Sequence, residues 1–341
     1  MPKQRRVGSG CSRRQFLRAA GTAGIAGLAG CSRGSGRPTV AILGPGSLQN
    51  ALANGLGPAL DVPVQVEAHG SATVARLIEA GQRDPDIVAV ADVALFDGPL
   101  TPSWYATFAS NALVVVYDPS SDGGQRVAAA GPENWYEPLA DGAVTLGRTD
   151  PDQDPLGYRT LFTIELASRY YADASNLGER ILRRDQMYPE TGLLSQFETG
   201  AVDAAIAYRN MAVERGYEYI ELPDPINLSN PRYADDWYST ASYTLPSGRT
   251  IRGDVISYGA TIRHMSDAAV AAFDALTTGR YLADYGFLLR EGFPAFSGAP
   301  PQPVRQATTA AGTDRRDESQ PRRDRPQRDL TSDLDGMRVL R

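Results

Sequence analysis

Three aspartates at alternate positions, Asp150, Asp152 and Asp154, share one loop with Pro151, Gln153 and Pro155. The loop separates an apolar run, 143–146, from a helical pattern over 157–171. Loops that leave the carboxyl end of a strand and feed a helix N-terminus carry unpaired N–H groups, and anions bind there. A plain phosphate cradle avoids carboxylates, so this loop points to a ligand that needs N–H donors and a carboxylate together. The same residues also suit Asx-turns and helix capping. The alternate spacing is that of a calcium loop, but the central glycine and the bidentate glutamate at the twelfth position are missing. Two serines follow similar strand ends. Ser47, after Gly44-Pro45-Gly46, stands where its hydroxyl either caps a helix or holds an anion. Ser71 follows His69-Gly70, and on an extended segment His69 and Ser71 share a face. With a loop aspartate they suggest a hydrolase in which Ser47 or Ser71 is the nucleophile and His69 the base. There is no Gly-x-Ser-x-Gly elbow to support it, and His264, in a polar turn, reads as surface. Glu190 beside Pro189 reads as a favourable charge at the start of a short helix. Tyr208 closes an apolar strand, 201–208.

The elements that must position these residues alternate. Apolar, β-branched runs at 39–43, 64–68, 86–93, 111–117, 201–208 and 253–262 predict strands, with 86–93 buried on both faces. Helical spacing predicts helices over 48–60, 72–81, 157–171, 267–278 and 279–290. The pattern is α/β, and 341 residues suffice for two domains. The net charge of −6 conceals an uneven distribution: residues 38–299 hold 17 arginines against 33 acidic residues. Such an acidic body excludes the basic face that nucleic acid requires. Lys3 is the single lysine, and an acidic, lysine-poor surface suits solubility in concentrated salt.

The first 30 residues read as an address. Ser12-Arg13-Arg14-Gln15-Phe16-Leu17 precedes a Gly/Ala-rich run too short to span a bilayer, the pattern of a twin-arginine export signal. Leu28-Ala29-Gly30-Cys31 then looks like a lipobox, with Cys31 the lipidated residue, and 31–38 a flexible tether. Cleavage before Cys31 removes Cys11 and leaves one cysteine, so no internal disulfide forms. From 298 to 341 the composition turns to Pro, Arg, Asp, Gln and Thr, and a disordered tail is expected.

Nine stretches in order carry a family resemblance: Gly46-Ser47-Leu48, Gly70-Ser71, Val88-Ala89-Val90-Ala91-Asp92, Asn134-Trp135-Tyr136, Asp154-Pro155-Leu156-Gly157-Tyr158-Arg159, Glu198-Thr199-Gly200, Ile220-Glu221-Leu222-Pro223, Ile226-Asn227-Leu228-Ser229 and Ile256-Ser257-Tyr258-Gly259. Together the chain resembles the archaeal tungstate/molybdate-binding lipoproteins of ABC importers. The resemblance implies a two-domain type II periplasmic-binding-protein fold with a hinge and an inter-domain ligand cleft. Its first domain is expected over 39–112 and 246–297, its second over 113–245, with hinges near 111–117 and 244–253. It further implies an anion pocket of Gly46, Ser47, Ser71, Asp152, Gln153, Asp154, Glu190 and Tyr208, with Asp154 and Glu190 as direct ligands of the molybdenum or tungsten atom. The implied protein is not an enzyme and has no cofactor. It is an exported monomer, anchored by lipid on Cys31 to the outer face of the cell membrane, that delivers the oxyanion to an ABC permease and its ATPase. Sulfate is the rival ligand. The chain departs from the family in its Gly-Pro-Gly-Ser first loop and in a shorter segment before Glu190.

Overall fold

The computed structural model describes residues 38–182 and 187–308. The export signal, Cys31, almost all of the tether and residues 309–341 of the expected tail lie outside the described residues.

Strands β1 (Val40–Pro45), β2 (Val64–His69), β3 (Ile87–Val90) and β4 (Trp104–Ser110) come first. They are followed by β5 (Leu113–Tyr117), β6 (Leu146–Thr149), β7 (Met187–Tyr188), β8 (Ala204–Tyr208) and β9 (Tyr219–Glu221). A hairpin of β10 (Ser242–Thr244) and β11 (Thr250–Arg252) precedes β12 (Ser257–Ile262) and β13 (Ala295–Gly298). One sheet has the order β13-β4-β12-β3-β1-β2, the other β7-β6-β8-β5-β9. The chain is thus two α/β lobes, one built on each sheet. In each sheet three neighbouring strands run parallel, β2-β1-β3 in the first and β7-β6-β8 in the second, and the remaining pairings are antiparallel.

Burial explains the strands. All four residues of β3 are buried, as are Leu113 to Val116 of β5, and each such valine or isoleucine contributes about 1.5–3 kcal/mol on leaving water. The chain passes from β4 to β5 through Asn111 and Ala112 alone. Asn111, fully buried, donates from Nδ2 to Asn210 Oδ1 at 2.8 Å and to the Tyr258 hydroxyl at 3.2 Å.

Several expected helices differ. The 48–60 segment is helical as expected but irregular, tight at Gly46–Leu48, wide at Ala51–Leu56 and tight again at Gly57–Ala59. Gly55 lies against the Tyr281 ring, 2.4 Å from where its Cβ would stand, and Gly57-Pro58 prevents a regular ladder. The 279–290 helix shortens to Tyr281–Asp284, because Gly286 turns the chain at φ +84 and packs on Asn210 and Val213. Asp267–Thr278 forms as expected. Residues 298–308 do not follow the tail composition: β13 ends at Gly298, and 302–308 is helical with Val304 buried.

Candidate functional site

The carboxyl ends of the two parallel triads carry the polar residues singled out above. In the first lobe Gly46 and Ser47 follow β1, Ser71 follows β2 and Ala91-Asp92 follow β3. In the second, Asp154 follows β6, Glu190 follows β7 and Tyr208 ends β8. Ser47, Ser71, Asp154, Glu190 and Tyr208 are all buried.

Asp154 is the N-cap of the Pro155–Tyr170 helix. Its backbone is extended, Pro155 occupies the first turn, and its Oδ1 accepts from Gly157 N at 3.0 Å and Thr149 Oγ1 at 2.9 Å. Gly157 is required there, since a Cβ would stand 2.5 Å from the backbone of Asp150 and Pro151. The other oxygen, Oδ2, is buried with no hydrogen-bond partner. Glu190 opens the Glu190–Glu198 helix and reaches across to the first lobe, where Gly46 N donates to its Oε2 at 3.1 Å. Ser47, next to Gly46, also favours the Glu190 charge against the effect of burial. Its Oε1 is again buried without a partner. A buried acceptor left unsatisfied costs about 1–3 kcal/mol, more when charged. Burial, and then the Glu190 charge, push the Asp154 carboxyl well above its ordinary range, and burial likewise raises Glu190.

Glycines let the lobes approach. A Cβ on Gly70 would stand 2.6 Å from Asp154 Cβ and from the Gln153 carbonyl, and one on Gly46 would stand 3.1 Å from Glu190 Oε2. The Ser71 loop therefore abuts Asp154, and the Ser47 loop abuts Glu190.

Each hydroxyl accepts a hydrogen bond from behind. Tyr258 donates to Ser47 Oγ at 3.0 Å, Ala91 N to Ser71 Oγ at 2.9 Å, and Arg159 Nη1 to the Tyr208 oxygen at 2.8 Å. Asn210 Nδ2 further fixes the Ser47 carbonyl at 2.7 Å.

Two expected pocket residues turn their side chains elsewhere. Asp152 Oδ1 accepts from the Tyr243 hydroxyl at 2.8 Å, and its N–H donates to Asp150 Oδ1 at 3.0 Å. Gln153 is exposed and its Nε2 donates to Asp150 Oδ2 at 2.7 Å. Only their carbonyls face the first lobe, accepting from Arg76 and Thr73. Asp150 thus organises the outer loop by Asx-type bonds, and Asp154 alone turns inward. The hydrolase arrangement is not assembled: His69 Nε2 pairs with Glu67 at 2.8 Å, and Ser71 faces Ala91. His264 pairs with Asp84 at the surface. No group of three or more metal-ligating side chains occurs among the described residues.

Sequence reasoning gave no role to Arg159, Asp92, Asn111, Asn210 or Tyr258. Arg159 did leave a signal, as the single charge between Pro155 and Ile164 in a helix start that buries nearly every residue.

Residues 53–286 match the family model described as bacterial extracellular solute-binding protein. The chain belongs to that family. This solute-binding protein is 54% identical over 296 residues to a putative ABC transporter molybdenum-binding protein of Haloferax volcanii, covering 85% of this chain and 96% of that one. It is 36% identical over 308 residues to an uncharacterized solute-binding protein of Halobacterium salinarum, with 85% and 96% covered. A molybdate/tungstate-binding protein of Thermococcus kodakarensis is 34% identical over 232 residues, with 60% and 64% covered. The resemblance read from the nine ordered stretches is borne out in these matches. No described helix of the solute-binding protein is long and apolar enough to cross a membrane.

Proposed function

We propose that this chain binds molybdate or tungstate between its two lobes and delivers it, chemically unchanged, to an ABC permease. The observation that carries the reading is the pair of buried carboxylates, Asp154 and Glu190, each with one oxygen free of hydrogen bonds. Sulfate and phosphate centres stay four-coordinate, and carboxylates near them only repel. Hexavalent molybdenum and tungsten accept further hard oxygen ligands, so two carboxylate oxygens added to the four of the oxyanion complete a six-oxygen set. Ser47, Ser71, Tyr208 and the Gly46 N–H supply donors for the oxo groups, which a buried anion needs. The names of the Haloferax and Thermococcus relatives support the same ligand class.

Asp152 and Gln153 serve this site through the loop backbone, with their side chains as supports. Closure of the two lobes on the ligand is the motion expected of a hinged binding protein. The chain acts as a monomer after export by the twin-arginine route, tethered through lipid on Cys31 to the outer face of the membrane, from which the permease takes its cargo while the ATPase works on the opposite face.

Calorimetric titration of the purified protein in high salt with molybdate, tungstate and sulfate tests the reading. Tight binding of the first two and none of sulfate supports it. Equal binding of sulfate overturns the six-oxygen site.

A further inference from the structure

Arg159 is a fully buried guanidinium that makes no hydrogen bond to either candidate ligand carboxylate, yet it touches every layer around them. It projects from the first turns of the Pro155–Tyr170 helix of the second lobe. Its Nη1 donates to the Ala91 carbonyl of the first lobe at 2.6 Å and to the Tyr208 hydroxyl of its own lobe at 2.8 Å. Its Nη2 lies 3.3 Å from Asp92 Oδ2, and the neighbouring Tyr158 hydroxyl donates to that same oxygen. Asp92 is itself fixed, its Oδ1 accepting from Ala94 N at 3.0 Å. Burial opposes the Arg159 charge, but Tyr208, Asp92 and Tyr158 outweigh it and leave the pKa above the ordinary value. The group therefore stays a cation inside the protein.

The contacts dictate where protons point. Tyr208 accepts from Arg159, so its own O–H is directed away from the guanidinium, and it has no acceptor among the described residues. Ala91 carries the effect to the other lobe. Its carbonyl receives Arg159, and its N–H donates to Ser71 Oγ, which likewise leaves the serine proton to be donated. A buried ion pair between lobes adds little net stability over an apolar contact, so adhesion alone is a weak reason for this arrangement. What it does provide is geometry that exists only when the lobes meet.

We propose that Arg159 is a positioning residue of the anion site: docking on Ala91 and Asp92 across the lobe interface, it orients the Tyr208 and Ser71 hydroxyls as donors and ties that orientation to lobe closure. The inference rests on the binding function proposed above. Asp92 is the receiver of the dock, and Tyr158 holds the receiver in place.

Molybdate and tungstate titrations of the wild type, Arg159→Lys, Asp92→Asn, Tyr208→Phe, and the two double variants that join Tyr208→Phe to each of the others test it, with ligand release followed by stopped flow and folding checked by circular dichroism. Arg159→Lys and Asp92→Asn are each expected to weaken binding about 10- to 100-fold, mainly by faster release. Tyr208→Phe is expected to cost about tenfold in the wild-type background and under about twofold once Arg159 or Asp92 is altered, since the hydroxyl is then already misdirected. Asp92→Asn keeps shape and one acceptor, so its cycle decides the matter should Arg159→Lys fail to fold. Folded variants that bind within about twofold of wild type, or a Tyr208→Phe cost that is equal in all backgrounds, overturn the positioning role and reduce the dock to a structural contact. A wild-type protein that binds neither oxyanion overturns the proposed function and this inference with it.

Discussion

The first lobe offers Ser71, Ser47 and the Ala91-Asp92 peptide at the ends of β2, β1 and β3, whereas the second offers Glu190, Asp154 and Tyr208 at the ends of β7, β6 and β8. The layout is alike and the chemistry differs. Neutral N–H and O–H donors from the first lobe suit any oxyanion. Carboxylates from the second repel an ordinary one and accept only a centre able to take more oxygen ligands. On the proposed function, the first lobe supplies donors that serve any oxyanion, and the second supplies the carboxylates that select among them. The two carboxylates differ again within the second lobe. Asp154 is held by its own lobe, through Thr149 and Gly157, while Glu190 is held by Gly46 of the other. On the proposed function, Asp154 would be set within its own lobe and Glu190 completed where the lobes meet.

The largest test of that contrast is Asp154→Asn. It keeps an oxygen for the Gly157 N–H but removes the charge, and calorimetry should show oxyanion affinity falling about 10²–10³-fold. Retained affinity would break the assignment of selectivity to the second lobe. Glu190→Gln should cost less, about 10–100-fold, with most of the loss in the release rate, because Asp154 still captures the ligand in the open form. A slowed association rate instead would mean that Glu190, too, is preset.

The pH dependence follows from the raised carboxyls. A group whose folded pKa is raised contributes stability that is present below its ordinary value and lost as pH climbs through the raised one. For Glu190 the raised value is about 7, with Asp154 also shifted upward. The ligand-free protein should therefore melt at progressively lower temperature from about pH 5 to about pH 8, and Asp154→Asn should flatten the slope. Across the same window oxyanion binding, which takes up the ionised carboxylates, should release protons, detectable as a buffer-dependent heat. The smallest effect is expected of Asp152→Asn. Its side chain meets Tyr243 at the loop surface, so affinity should stay within about twofold, and a larger loss would return Asp152 to the pocket.

The α/β alternation was legible because β-branched runs and helical spacing are local signals. Residues such as Ser47, Ser71, Asp154 and Glu190 were singled out together only through the family likeness, since each also fits ordinary capping. Asp154 turned out to do both, one oxygen capping the helix and the other free. For Asp152 and Gln153, adjacency in the motif says nothing of side-chain direction, which the bonds to Asp150 and Tyr243 decide. The 48–60 segment kept its helical spacing and its helix, but Gly55 and Gly57-Pro58 accompany a wide turn and a tight one that spacing does not foretell. Arg159 and Asp92 lie 67 residues apart in sequence and meet only in the folded chain. No local pattern encodes such a meeting.

The hydrogen bond from Gly46 to Glu190 sets one of the two carboxyls on the seam between the lobes. Asp154 and Glu190 lie side by side on one lobe, in a medium that screens charge poorly, so with nothing between them they are held as acids. On the proposed function, a metal centre that shares their oxygens would let both ionise, whereas sulfate would not. Taking up cargo would then be an exchange of protons for metal at the seam, and letting it go would be the reverse.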